Sequence, residues 1–162
     1  MNQAAKRKIK SNKYLFWLNI SIIFAVIFLD RITKLLVLNL KGSLKIFSFL
    51  EIVLVKNEGI VFGMFSDSNL NNLFIISSII SILIIILIFY KLAKNSPLTC
   101  LLSMIIGGAV GNIIDRILYG YVVDFIKVDS FYVFNIADAS ITIGSILLII
   151  YVIFYGNEFK RI

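Results

Sequence analysis

Histidine is absent from this chain of 162 residues, cysteine occurs once, at Cys100, and nine residues are acidic. Without histidine, Ser-His and Cys-His nucleophile pairs cannot be assembled, and the usual zinc ligands are missing. One cysteine permits neither an intrachain disulfide nor a thiolate metal cage. Hydrolytic chemistry is therefore left to carboxylates, lysine or a metal held by oxygens. Apolar residues, by contrast, make up 60% of the chain, and the mean hydropathy is +0.99. This composition, in a chain the length of a single domain (1–162), indicates a membrane domain. The formal charge of +7 does not point to nucleic acid, because the basic residues are scattered or terminal. Membrane topology accounts for that distribution.

Lys6, Arg7, Lys8, Lys10 and Lys13 precede the first apolar run. No small-residue cleavage site follows, so the run reads as an uncleaved anchor with its N-terminus in the cytoplasm. The first helix is expected from about residue 14 into the 30–38 region, where Asp30 and Lys34 can pair at i, i+4. An interfacial ion pair and a site role both fit Asp30. Residues 40–72 lose helical periodicity. The segments 45–49 and 52–55 have strand character, and Asn57, Gly59 and Gly63 punctuate the stretch after them. By composition Asn57 reads first as a turn residue. Residues 73–92 form an Ile-rich run long enough to span a bilayer, in which Ser77, Ser78 and Ser81 are expected to bond within the helix or to a neighbour. Lys91 and Lys94 flank a short turn ending at Pro97. A third helix is expected over 97–119 and a fourth over 136–155.

Four of the nine acidic residues, Asp115, Asp124, Asp129 and Asp138, lie between Gly107 and Gly144. Gly107, Gly108 and Gly111 form a small-residue patch that lets helices approach closely. Asn112, Asp115 and Arg116, at i, i+3 and i+4, fall on one helix face. An Asp115–Arg116 pair there serves either to close a polar gap or to hold a catalytic group. Basic residues are dense before the first helix and recur in the second connection and the tail, while the third connection has only Lys127. The first connection also holds lysines, which blurs the pattern, but the short segments favour two cytoplasmic termini. Asp30, Asn57, Asn112, Asp115, Arg116, Asp124, Asn135 and Asp138 then gather near the outer interface. Two convergent carboxylates, Asp124 and Asp138, cannot both ionise easily, and a shared proton suits them to activate water on one side and protonate a leaving amine on the other. The structural alternative has Asp138 capping the fourth helix and Asp124 facing the headgroups.

Five segments in order resemble the lipoprotein signal peptidases (signal peptidase II): DRITK from Asp30, NEGIVFG with Asn57, GNIIDR at 111–116, VVDF at 122–125 and FNIAD at 134–138. The resemblance implies an aspartyl protease of the bacterial inner membrane that cleaves a prolipoprotein signal peptide just before the lipid-modified cysteine. It implies Asp124 and Asp138 as the catalytic pair, and Asp30, Asn57, Asn112, Asp115, Arg116 and Asn135 as the supporting and substrate-binding set. The expected architecture is an all-α integral membrane protein with four transmembrane helices. A small outer-side β-region in the first connection and a short helix or loop in the third complete it. No cofactor or metal is expected. The expected partners are lipid-modified prolipoproteins and membrane phospholipid, with the protein as a monomer and no nucleic acid. Phe62 and the brief 129–132 connection depart from the family pattern and bear on how the site is covered. Two rivals are an Mg²⁺-dependent phospholipid-synthesising transferase, which needs a denser carboxylate cluster, and a non-enzymatic proton or ion conductor. The conductor needs ionisable groups near mid-bilayer on several helices, and the second helix offers none.

Overall fold

The computed structural model describes residues 3–58, 68–92, 98–129 and 132–155. Gly59, Phe62, Gly63, Lys94, Pro97 and the charged tail lie outside them. Among the described residues four helices, α1 (Gln3–Leu38), α2 (Ser68–Leu92), α3 (Leu98–Tyr119) and α4 (Ile136–Tyr155), are joined to four strands, β1 (Ser43–Phe47), β2 (Leu50–Asn57), β3 (Val122–Val128) and β4 (Val133–Phe134). The strands form one antiparallel sheet in the order β1-β2-β3-β4.

α3 is central and packs against α1, α2 and α4. Its glycines make this geometry possible. A Cβ on Gly107 would meet Val26 of α1 at 2.9 Å, one on Gly108 would collide with the Ala137 backbone of α4, and one on Gly111 would lie 2.8 Å from Asp30 Oδ2. The small-residue patch thus brings three helices together by removing side-chain bulk. Among the described residues two helices, Leu98–Tyr119 and Ile136–Phe154, are long and apolar enough to cross a membrane, and Asn71–Leu87 is a shorter apolar stretch. Large apolar side chains stand exposed along the outside of α1, α2 and α4, among them Phe24, Phe28, Leu87 and Phe154. A hydrocarbon solvent would accept that surface.

The third connection differs from the expected short helix or loop. VVDFIKV, rich in β-branched and aromatic residues, forms β3 and completes the sheet along the open edge of β2. Strand propensity and an unpaired neighbour edge favour the same outcome. Gly120, at φ 79°, ends α3, with its N–H bonded to Arg116 O at 3.1 Å. This left-handed cap turns the chain directly into β3. In the register of the sheet, Asp124 lies opposite Val55 and Asn57 opposite Val122.

Candidate active site

The site is built where the N-terminus of α4, the last turns of α3, the α1 segment around Asp30 and strands β2 and β3 meet. Asn135 caps α4: its Oδ1 accepts from the Asp138 N–H at 2.8 Å, and Asp30 Oδ1 accepts from the Ala137 N–H at 3.0 Å. Two of the orphan donors at the helix start are therefore satisfied by Asn135 and Asp30. The cap is not the Asp138 side chain, which is turned instead onto Asn112, whose Nδ2 donates to its Oδ1 at 2.8 Å.

Asp124, 1% exposed, receives a hydrogen bond on each oxygen: Asn135 Nδ2 donates to Oδ1 at 2.7 Å and Asn57 Nδ2 to Oδ2 at 2.8 Å. Asn135 Nδ2 also lies 3.2 Å from Asn112 Oδ1 and 3.3 Å from Val123 O. Three amide side chains thus form one frame: Asn57 and Asn135 hold Asp124, and Asn112 holds Asp138. Burial pushes the Asp124 carboxyl up to about 7. The Asn57 bond opposes this, the charge of Asp138 reinforces it, and Asn135 and Lys34 oppose it further.

Beneath the frame lies a buried, charge-balanced cluster. Lys34 Nζ is 2.8 Å from Asp30 Oδ2 and 2.7 Å from Asp115 Oδ2, the first contact being an ion pair out of line for a hydrogen bond. Lys34 also donates to Asn112 Oδ1 at 3.2 Å, and Arg31 pairs with Asp115 Oδ1. The Val123 N–H donates to Asp115 Oδ2 at 3.1 Å, which ties β3 to α3. Asp30 and Lys34 pair as their spacing predicts, but deep in the helix interface rather than at an exposed helix end. Two acids and two bases neutralise one another there, and removing one would strand a buried charge.

Arg116 is not the partner of Asp115. Neighbouring helical residues diverge by about 100°. Asp115 therefore turns to Arg31 and Lys34, while Arg116 turns to α2. There its guanidinium stacks 4.7 Å from the Phe74 ring and donates to Asn71 Oδ1 at 3.4 Å, and Asn71 returns a bond to Arg116 O at 3.2 Å. Ser77 and Ser81 back-bond within α2, to Phe74 O at 3.0 Å and to Ser77 O at 2.9 Å.

An open cavity of about 210 Å³ faces this frame, lined by Asn57, Asn112, Arg116, Asp138, Tyr132 and, on the α2 side, Phe74, Ser77 and Ser78, with Val122. All eight site residues expected from the sequence belong to this one region. Asn57, Asn112, Arg116 and Asp138 line the cavity, Asp124 and Asn135 stand immediately behind it, and Asp30 and Asp115 lie in the ion cluster below. Sequence reasoning missed Arg31, Lys34 as a third partner of the frame, and Tyr132. Cations inside an apolar helix were the available signal for the first two. Tyr132 had none. Among the described residues no group of three or more acidic, cysteine or histidine side chains could hold a metal ion. The denser carboxylate cluster that an Mg²⁺-dependent transferase needs is not found among them.

Comparison with known proteins agrees with this architecture. A family profile described as Signal peptidase (SPase) II matches residues 22–154. The lipoprotein signal peptidase of Pelagibacter ubique is 39% identical over 158 residues, covering 92% of this chain and 95% of that protein. That of Wigglesworthia glossinidia brevipalpis is 44% identical over 138 residues, covering 79% and 89%. Two bacterial membrane enzyme structures determined by the in meso method superpose with TM-scores of 0.78 and 0.75. Each is 36% identical and covers 83% of this chain, and 87% and 91% of those chains respectively. With the family profile matched from the first helix to the last and relatives aligned over most of their length, the chain belongs to the signal peptidase II family of aspartic peptidases.

Proposed function

We propose that the protein removes the signal peptide from diacylglyceryl-modified prolipoproteins, cutting just before the lipid-modified cysteine, with Asp124 and Asp138 as the catalytic pair. The observation that carries this reading is the amide frame. Asn57, Asn112 and Asn135 hold the buried Asp124 and the partly buried Asp138 beside one open cavity, and the charge of Asp138 acts on Asp124. Such a pair shares a proton between its members and titrates as a unit. The ionised member takes a proton from water as its oxygen attacks the scissile carbonyl. The protonated member then gives its proton to the departing amide nitrogen.

The whole chain acts as one membrane-embedded peptidase domain, with four spans and both termini in the cytoplasm of a bacterial cell. Exposed Tyr14, Phe16 and Trp17 near the basic start of α1 suit an interfacial belt on that side. The sheet and the dyad then face the outer side of the inner membrane, where a lipid-modified substrate is presented. Arg116, with Phe74, Ser77 and Ser78, forms the substrate-facing wall. The protein works as a monomer surrounded by phospholipid. Cleavage of a diacylglyceryl-modified prolipoprotein by purified protein in detergent, with and without a chelator, tests the reading. Turnover insensitive to the chelator is expected. Absence of cleavage, or loss of cleavage on chelation, would overturn it.

A further inference from the structure

Tyr132 stands where the chain enters β4, one short step before the Asn135 cap of α4. Its half-buried side chain lines the same cavity as Asn57, Asn112, Arg116 and Asp138. It is hydrogen-bonded with Asn57, the amide that also donates to Asp124 Oδ2 at 2.8 Å. Both carboxylates and Arg116 act electrostatically on its hydroxyl. Burial first, then the charges of Asp138 and Asp124, push the phenol up to about 12, so it keeps its hydrogen wherever the carboxylates can work. A hydroxyl can accept and donate at once, and its hydrogen turns to suit the acceptor. The bond to Asn57 is therefore compatible with donation into the cavity. The amide donors of Asn112 and Asn135 are directed at the carboxylates, at Asn112 Oδ1 and at Val123 O.

We propose that Tyr132 is a further catalytic residue, whose phenolic hydrogen bonds to the oxygen of the scissile carbonyl as the tetrahedral intermediate forms. The inference rests on the Asp124–Asp138 reading. Water loses a proton to the ionised carboxylate, and its oxygen bonds to the carbonyl carbon. The carbonyl π pair moves onto oxygen, and the resulting oxyanion accepts the Tyr132 hydrogen bond. When the C–N bond breaks, that pair returns to form the new carbonyl, and nitrogen takes the proton of the second carboxyl. Tyr132 keeps its own proton throughout and supplies a neutral donor aimed at developing charge.

The test is Tyr132→Phe, which retains the ring and its packing. Removing one such donor lowers kcat by about 100-fold in comparable sites. That loss is expected here with KM and melting temperature nearly unchanged. Affinity for a peptide carrying a secondary alcohol in place of the scissile amide should fall in parallel with kcat/KM, while affinity for uncleaved signal peptide holds. Turnover close to wild type, or equal weakening of both ligands, would overturn the assignment. So would a lowered melting temperature that accounts for the whole loss of activity. Asp124→Asn is assayed alongside: if it turns over normally the dyad reading has failed, whereas an inactive Asp124→Asn beside a fully active Tyr132→Phe overturns the role of Tyr132 alone.

Discussion

Replacing Asp124 by Asn should abolish turnover and at the same time change the pH dependence of stability in a calculable way. The folded carboxyl titrates near 7 against an ordinary 3.8, so between those values the folded state holds a proton that the unfolded state has released. Stability from this group is complete below 3.8, is lost as pH rises toward 7, and stays lost above it. The full displacement corresponds to about 4 kcal/mol, of which about 2–3 kcal/mol falls between pH 5 and pH 9. Asparagine cannot ionise, so this slope should vanish. The substitution also has a pH-independent penalty, because a carboxamide offers one oxygen where Asn57 and Asn135 both donate. Asn135 cannot turn its amide, since its oxygen caps α4. Asn57, at the end of β2 and only partly buried, can turn only by remaking its bond with Tyr132 as well. A buried mismatch of this kind costs about 1–3 kcal/mol, and it cancels when the stability difference between variant and wild type is compared at two pH values. Unfolding titrations in mixed micelles at pH 5 and pH 9 supply that comparison. The variant should gain on the wild type by about 2–3 kcal/mol from the lower to the higher pH. An unchanged difference, or one that grows in the opposite direction, would refute the buried-charge reasoning.

Asp124→Asn and Asp138→Asn should each remove most single-turnover cleavage, and the double variant should add little, because members of one catalytic unit are non-additive. Since Asn135 rather than Asp138 caps α4, near-wild-type cleavage by Asp138→Asn would argue against the dyad and could not be assigned to a tolerated cap substitution. Lys34→Met leaves Asp30 and Asp115 with Arg31 alone and should destabilise by about 3–5 kcal/mol. Arg116→Ala, which loses its contacts to Asn71 and Phe74 but strands neither Asp30 nor Asp115, should cost clearly less in the same unfolding titration. Gly111→Ala drives a methyl against Asp30 Oδ2 and should lose about 1–3 kcal/mol, read as a lowered unfolding midpoint. In a variant lacking Cys100, Lys127→Cys should react with a membrane-impermeant reagent from outside and Lys13→Cys should not. The reverse pattern would invert the proposed topology.

The features legible from the sequence depend on near neighbours. The span of α4, the Asp30–Lys34 spacing and the close approach permitted by Gly107, Gly108 and Gly111 are consequences of helical geometry over a few turns. The resemblance motifs lie far apart in the chain, and the fold brings their polar residues into one region. Partner choice was not legible in this way. Asp115 and Arg116 are adjacent, yet the turn between them sends one to α1 and the other to α2, and only packing decides which cation lies within reach. Asp115 meets Arg31 across 84 positions of sequence. VVDFIKV carried strand propensity in plain view, but it became β3 because β2 presented an edge at the right distance after the Gly120 turn. The sequence offers Asp138 as the cap of α4, whereas the structure gives that place to Asn135. Its other bonds, to Asp124 and Asn112, exist because the cap of α4 is pressed against β3 and α3. The sequence alone determined the apolar body of each helix, though α1 begins at Gln3 and α2 at Ser68, earlier than expected, together with the glycine seam and the residues that carry polar chemistry in an apolar chain. The tertiary structure decided which of those groups neutralise one another and which face the cavity, because charges and hydrogen bonds buried away from water must be satisfied by whatever the packing brings within about 3 Å.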